Sequence, residues 1–195
     1  MLKSAEEGYA PAQEMVGMMY MGATGDYGKA DMWLRRAAEQ GNAEAQFWLG
    51  NAYEQGRIGT TDYGQAFKWL RKAAEQGHPD AQFSLAQMYE DGEFVSQNYT
   101  LAAKWYRKAA EHVPNLGGAG EGRNSLGLLY MDGSGVPKNY VLAYMWFALA
   151  PAEANLKQAA LHMSPAQIAQ GQRLAKDWIR RHTTQEESVA LREMH

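Results

Sequence analysis

The residues able to do chemistry in this chain are few and scattered. It has 5 histidines and 0 cysteines, so disulfides and thiolate nucleophiles are excluded. His78, His112, His162, His182 and His195 show no second histidine or carboxylate at metal-ligand spacing on one helix face. His78 and His112 read as plain surface residues at the ends of repeating units. There is no G-x-S-x-G elbow, no phosphate-binding loop and no dinucleotide fingerprint. The glycine-rich run GGAGEG, Gly117 to Gly122, has no following Lys-Ser/Thr and no preceding strand, and reads as a loop. Glu39, Glu75 and Glu111 recur at one interval, which points to a structural role near helix ends rather than to paired catalytic acids. No catalytic, cofactor-binding or metal-ligating residue is assigned, and the expectation is a protein that is not an enzyme.

That recurrence organises the chain. Tyr63 to Gln82 reads YGQAFKWLRKAAEQGHPDAQ, Tyr27 to Gln46 reads YGKADMWLRRAAEQGNAEAQ, and Tyr99 to Glu111 reads YTLAAKWYRKAAE. Trp33, Trp69 and Trp105 are 36 residues apart, and Trp146 follows 41 later. Tyr20, Tyr53, Tyr89 and Tyr130 keep step, 13 residues before the Trp in the first unit and 16 in the others. The first unit therefore lacks three residues in its internal loop, and the last interval gains five in HVPNLGGAGEG. Length changes confined to loops, with helix spacing kept, are what stacked helix pairs tolerate.

The predicted organisation is all-α. Residues 1–9 form the remnant second helix of a preceding unit, since KSAEEGYAPAQ from Lys3 lines up with KAAEQGHPDAQ from Lys72. Four helix pairs follow at 10–42, 43–78, 79–121 with its loop insertion, and 122–150. In each first helix an apolar stripe faces the neighbouring helices, as in Ala12, Val16 and Tyr20 or Ala45, Leu49 and Tyr53. Gly17, Gly50, Ala86 and Gly127 mark close helix crossings. Gly22, Gly56, Gly92 and Gly133 are expected to end the first helices, and Gly41 and Gly77 the second. Residues 151–182 read as a degenerate repeat followed by a helix from Pro165 to about Arg181. Ser164-Pro165-Ala166-Gln167 is the capping box of that helix. Residues 183–195 read as a loose tail.

These motifs resemble the Sel1-like repeat family, relatives of the tetratricopeptide repeats. The family pattern, A-x-x-x-L-G-x-x-Y-x-x-G, a loop, then A-x-x-W-x-x-x-A-A-E-x-G, appears as AQFWLGNAYEQG from Ala45 and AFKWLRKAAEQG from Ala66. The fourth unit carries the Gly-x-Gly-Val loop at Gly133, Gly135 and Val136. SPAQIAQGQRLAKDW from Ser164 is similar to a terminal segment of bacterial members. The resemblance implies a right-handed α/α superhelix, a solenoid of antiparallel helix pairs with a C-terminal capping helix.

In such a stack the first helices line a concave wall, and the positions that architecture does not dictate are Met15, Met18, Glu44, Trp48, Asn51, Asp80, Ser84, Gln87, Ser125 and Leu128. They vary between units while the packed positions recur. Met15, Met18 and Trp48 would form an adaptable apolar patch, rimmed by Glu44, Asp80 and Glu121. The resemblance implies an adaptor for a protein or peptide partner in a bacterial envelope, secretion, signalling or host-interaction system. Its alternatives are an immunity protein neutralising a secreted toxin, a hydrolase or β-lactam-binding enzyme, and self-association through a truncated N-terminal edge.

The net charge of -3 gives no electrostatic case for nucleic acid. No apolar run reaches the ~18 residues of a membrane span, so no membrane insertion and no cofactor are expected. If an N-terminal signal has been removed, the protein works in the periplasm or outside the cell; otherwise it is cytoplasmic.

Overall fold

The computed structural model describes residues 1–92, 94–112 and 117–193, with side chains described to residue 182. Four residues of the expected loop insertion, 113–116, lie outside that range. The regular structure of the described residues is helical throughout. In chain order the helices are α1 (Leu2–Glu6), α2 (Ala10–Met19), α3 (Tyr27–Glu39), α4 (Ala43–Glu54), α5 (Tyr63–Glu75) and α6 (Pro79–Asp91). They continue with α7 (Tyr99–Ala110), α8 (Gly118–Asp132), α9 (Tyr140–Ala148), α10 (Glu153–Ala160) and α11 (Pro165–Glu193). The chain divides into two units, Met1–Asn98 and Tyr99–His195. In the first, each helix from α1 to α5 packs on the next; in the second, α8 packs on α7, and α9 is packed by α8, α10 and α11.

Local chemistry sets the helix starts. Asp26, Asp62 and Asn139 accept from the backbone N–H of Lys29, Gln65 and Leu142 at 3.1, 2.9 and 3.0 Å. Each supplies one of the acceptors that a helix N-terminus lacks. The predicted capping box is present on α11: the Ser164 N–H donates to Gln167 Oε1 at 2.8 Å, and the Gln167 N–H donates to Ser164 Oγ at 3.3 Å.

Small residues let the helices cross closely. A Cβ at Gly17 would lie 2.7 Å from Leu34 Cγ, and one at Gly50 would lie 2.7 Å from Leu70 Cγ. At Gly127 it would lie 2.5 Å from the Phe147 ring. Trp33, Trp69 and Trp146 are buried beside these crossings, but Trp105 is only half-buried. Cations cover three of the rings: Arg36 over Trp33, Lys72 over Trp69 and Lys108 over Trp105, at 5.0, 4.5 and 4.2 Å. In the fourth repeat the matching position is Leu149, and the Trp178 ring of α11 meets Trp146 edge-on at 6.4 Å.

A buried polar contact recurs at the same period. Gln13, Gln46 and Gln82 are buried. Their side-chain amides donate to the carbonyls of Ala5, Ala38 and Ala74 at 3.0, 2.9 and 3.2 Å. Gln13 and Gln46 also accept from Gln40 and Gln76, both at 2.7 Å. One side chain thus joins the end of the preceding helix pair to the C-terminus of its own pair.

The fourth repeat has Arg123 in this place, 2% exposed. Its Nε donates to Ala110 O at 2.9 Å, Nη1 to Leu149 O at 3.1 Å and Nη2 to His112 O at 2.5 Å. The guanidinium stacks over Trp178 at 4.5 Å. Burial lowers its pKa from the usual guanidinium value. Among the described residues no carboxylate pairs with it; carbonyls at the negative ends of α7 and α9 meet the charge instead.

Three expectations need correction. GGAGEG is not a loop: Gly118 to Gly122 form the first turn and more of α8. The reason is space, since a Cβ at Gly122 would sit 3.0 Å from Ala109 Cβ and 3.2 Å from Tyr106 O. Gly22 does not end α2; a π-helical turn, Tyr20–Thr24, spans the shortened loop, and Gly25 takes the left-handed position at φ 66°. The last helix does not stop near Arg181 but runs to Glu193, through residues expected as a tail.

Gly50→Ala is expected to cost about 1–3 kcal/mol by forcing Leu70 aside. Arg123→Met leaves three carbonyls without their donor and is expected to cost about 2–4 kcal/mol. Arg123→Gln, which restores the donor to Ala110, should cost less. Urea unfolding of the purified variants measures all three.

Candidate partner-binding face

The first unit gathers most of the predicted site residues on its first helices, α2, α4 and α6. Met15 is 49% exposed. Met18 and Trp48 are half-buried, and both rest on one core cluster that includes Leu34, Leu49 and Trp69. Asn51, Asp80 and Ser84 are half-buried, and Gln87 is exposed. Ser125 and Leu128 are half-buried on α8 and belong to the second unit.

Around Trp48 the side chains are held in place. The indole Nε1 donates to Glu44 Oε1 at 2.7 Å. Glu44 Oε2 lies 3.0 Å from His78 Nε2. The His78 side chain is only 9% exposed, and its ring stacks on Phe47 with centroids 4.7 Å apart. Its Nδ1 accepts from the Ala81 N–H at 3.3 Å, capping α6. An accepting Nδ1 places the proton on Nε2, which then donates to Glu44.

His78 is therefore not the plain surface residue that the sequence suggests. Both ring nitrogens are engaged in holding the fold, so the imidazole has no lone pair left to act as a general base. His182 likewise stacks on Trp178 at 3.8 Å, and His162 on Tyr140 at 4.8 Å.

Two features of this unit were not predicted. One is a bond from Arg35 Nη2 to the Tyr53 hydroxyl, which ties α3 to α4. It has a counterpart in the second unit, where Arg107 Nη2 donates to Tyr130 at 2.6 Å. The other is Glu14, half-buried on α2 one turn before Met18. Burial, and then the neighbouring Glu44 charge, raise its carboxyl above the ordinary glutamate value. A repeat comparison could have found it, because Glu14 stands where the next repeat has the buried Phe47.

Elsewhere the described residues offer less. No group of three or more His, Asp or Glu among them is placed to hold a metal ion. A hollow of about 370 Å³ in the second unit is lined by Phe147, Ala150, Pro151 and Leu156, among others, and contains none of the predicted site residues. Its carboxylate, Glu153, is paired with Lys157 at 2.6 Å. No helix among the described residues is long and apolar enough to cross a membrane.

A carboxyl whose pKa is raised by folding is stabilised in its protonated form. That stabilisation is present at low pH and is lost as pH rises through the raised value. Glu14→Gln should therefore raise the melting temperature at neutral pH. The gain should shrink as pH falls toward the ordinary glutamate range, as thermal unfolding at a series of pH values would show.

Comparison with known proteins fits this geometry. The sequence model of the Sel1 repeat matches residues 10–42, 43–78, 79–112 and 120–150. A Sel1 repeat protein from Oxalobacter formigenes is similar at 32% identity and a TM-score of 0.66, over 88% of this chain and 64% of that one. The protective antigen c5321 of uropathogenic Escherichia coli strains, which displays an SLR fold, is similar at 27% identity and a TM-score of 0.58. That likeness covers 93% of this chain and 48% of the other. The chain thus spans about half to two-thirds of the length of these relatives. No curated protein matches it. Four matched units, and an all-helical structure similar to solved Sel1-type solenoids, establish that the chain belongs to the Sel1 repeat family.

Proposed function

We propose that this protein is a non-enzymatic adaptor that holds a protein or peptide partner on the first-helix face of its repeats. Sel1 repeats mediate protein–protein interaction in general. The observation that carries the reading here is the unclosed apolar surface at Met15, Met18 and Trp48. Flexible Met side chains beside a broad indole adapt to a partner at low cost. Trp48 is held by Glu44 and Phe47, so less of its freedom is lost on binding.

Asn51, Asp80, Ser84 and Gln87 supply polar contacts along the same helices, and Ser125 and Leu128 occupy the matching repeat positions in the second unit. The engagement of both His78 nitrogens speaks against acid–base chemistry at this face. The setting we propose is a bacterial envelope, secretion, signalling or host-interaction system, in keeping with the sources of the two similar structures.

The test is a pull-down with the immobilised chain, followed by titration of the captured partner against variants. Trp48→Ala is expected to weaken binding by about 2 kcal/mol or more, and Gln87→Ala by less. Gln87 is exposed, so its loss should leave stability within about 0.5 kcal/mol. Full retention of the partner by both variants would refute binding at this face.

A further inference from the structure

The same face carries two carboxylates, Glu14 and Glu44, that no Lys or Arg among the described residues pairs with. Glu14 lies one helical turn before Met18 on α2, and Glu44 one turn before Trp48 on α4. Met18 and Trp48 rest on one core cluster, so both acid–apolar pairs border the same stretch of core. Glu14 has no hydrogen-bond donor and no cation partner among the described residues. Among the described residues, Glu44 is met by the indole N–H of Trp48 and by His78 alone. His78 accepts at Nδ1 from the Ala81 N–H, so its Nε2–H meets Glu44 as a hydrogen-bond donor.

Burial, and after it the Glu44 charge, make the ionised Glu14 carboxyl costly to the fold. A Gln at residue 14 would keep the size of the side chain and remove the penalty. Retaining the charge beside an exposed Met therefore makes physical sense where a ligand supplies the opposite charge. An apolar patch with an acidic border is complementary to a segment that is both cationic and apolar. The Trp48 indole adds to this, since an indole face also attracts a cation.

We infer that the partner segment bound at this face is a basic, apolar peptide. A Lys or Arg head lies between the Glu14 and Glu44 carboxylates, and an adjacent apolar side chain rests on Met15, Met18 and Trp48. The inference rests on the adaptor reading above and names the chemistry of what the adaptor holds.

The test uses the full chain and an unbiased displayed-peptide library. Enriched peptides are remeasured by fluorescence anisotropy against the wild type, Met15→Ser, Trp48→Ala and Glu14→Gln. Met15 is half exposed, so Met15→Ser should fold even if Trp48→Ala does not. The expected result is enrichment of Lys- or Arg-containing peptides with neighbouring apolar residues, lost on Met15→Ser. Glu14→Gln should weaken them about fivefold or more while raising the melting temperature, two opposite changes that a merely structural role for Glu14 would not produce.

Enriched peptides that are neutral or acidic, yet still depend on Met15, would overturn the inference and leave the adaptor reading intact. Self-association of the chain that Met15→Ser abolishes would also overturn it, because an identical acidic face would then be the occupant. Enrichment indifferent to both Met15 and Trp48, or no enrichment, would overturn both readings.

Discussion

A helix that ends against its neighbour leaves carbonyl groups that water cannot reach. In this chain the carbonyls of Ala5, Ala38 and Ala74 are in that position, and each is met by the side-chain amide of a buried glutamine. Glutamine suits the task because one amide both donates and accepts. Gln13 and Gln46 use the second capacity on Gln40 and Gln76, at the end of their own helix pair. Each of these carbonyls also accepts one backbone N–H, from Gly8, Gly41 or Gly77, so a leucine of similar size would fill the space and lose the side-chain bonds between pairs, at about 0.5–1.5 kcal/mol each. This buried glutamine contact therefore helps set the spacing and register of successive pairs. At the fourth repeat the same demand is greater, since the ends of α7 and α9 converge there. Arg123 meets it with three donors and a flat guanidinium on which Trp178 stacks.

With spacing set by buried amides and by crossings such as Gly17 on Leu34 and Gly50 on Leu70, the remaining first-helix positions are released from structural duty. That freedom is visible in the differences between repeats: Met15 is matched by Trp48, Ser84 and Ser125, and Met18 by Asn51, Gln87 and Leu128. Function on such a scaffold is a matter of which side chains occupy the free positions. In the first unit they combine an exposed thioether, a held indole and a carboxylate that no Lys or Arg among the described residues pairs with.

Much of this architecture was legible before any coordinates. The Trp and Tyr intervals predict the helix pairs, Gly50 the tight crossing, and Ser164 with Gln167 the start of the last helix. These are local or periodic signals, and short-range geometry alone produces them. The misreadings share a different origin. GGAGEG looks like a loop by composition, but Gly122 is small because α7 lies against it. Gly22 looks like a helix end by register, but the shortened loop is absorbed in a π-helical turn that moves the stop to Gly25. His78 looks like a surface histidine because its partners, Glu44 and Phe47, belong to another repeat. Glu14 and Arg123 give no signal in the spacing of the sequence, because their significance depends on what faces them.

The claim on which the account rests is that buried side-chain amides, not helix propensity alone, join one pair to the next. Proton exchange of the Gln13, Gln46 and Gln82 side-chain amides, followed by nuclear magnetic resonance after transfer into deuterated water, measures it most directly. The account predicts exchange slowed by about a thousandfold relative to an exposed glutamine such as Gln87, because opening must precede exchange. Exchange of the three amides at the rate of Gln87 would contradict it.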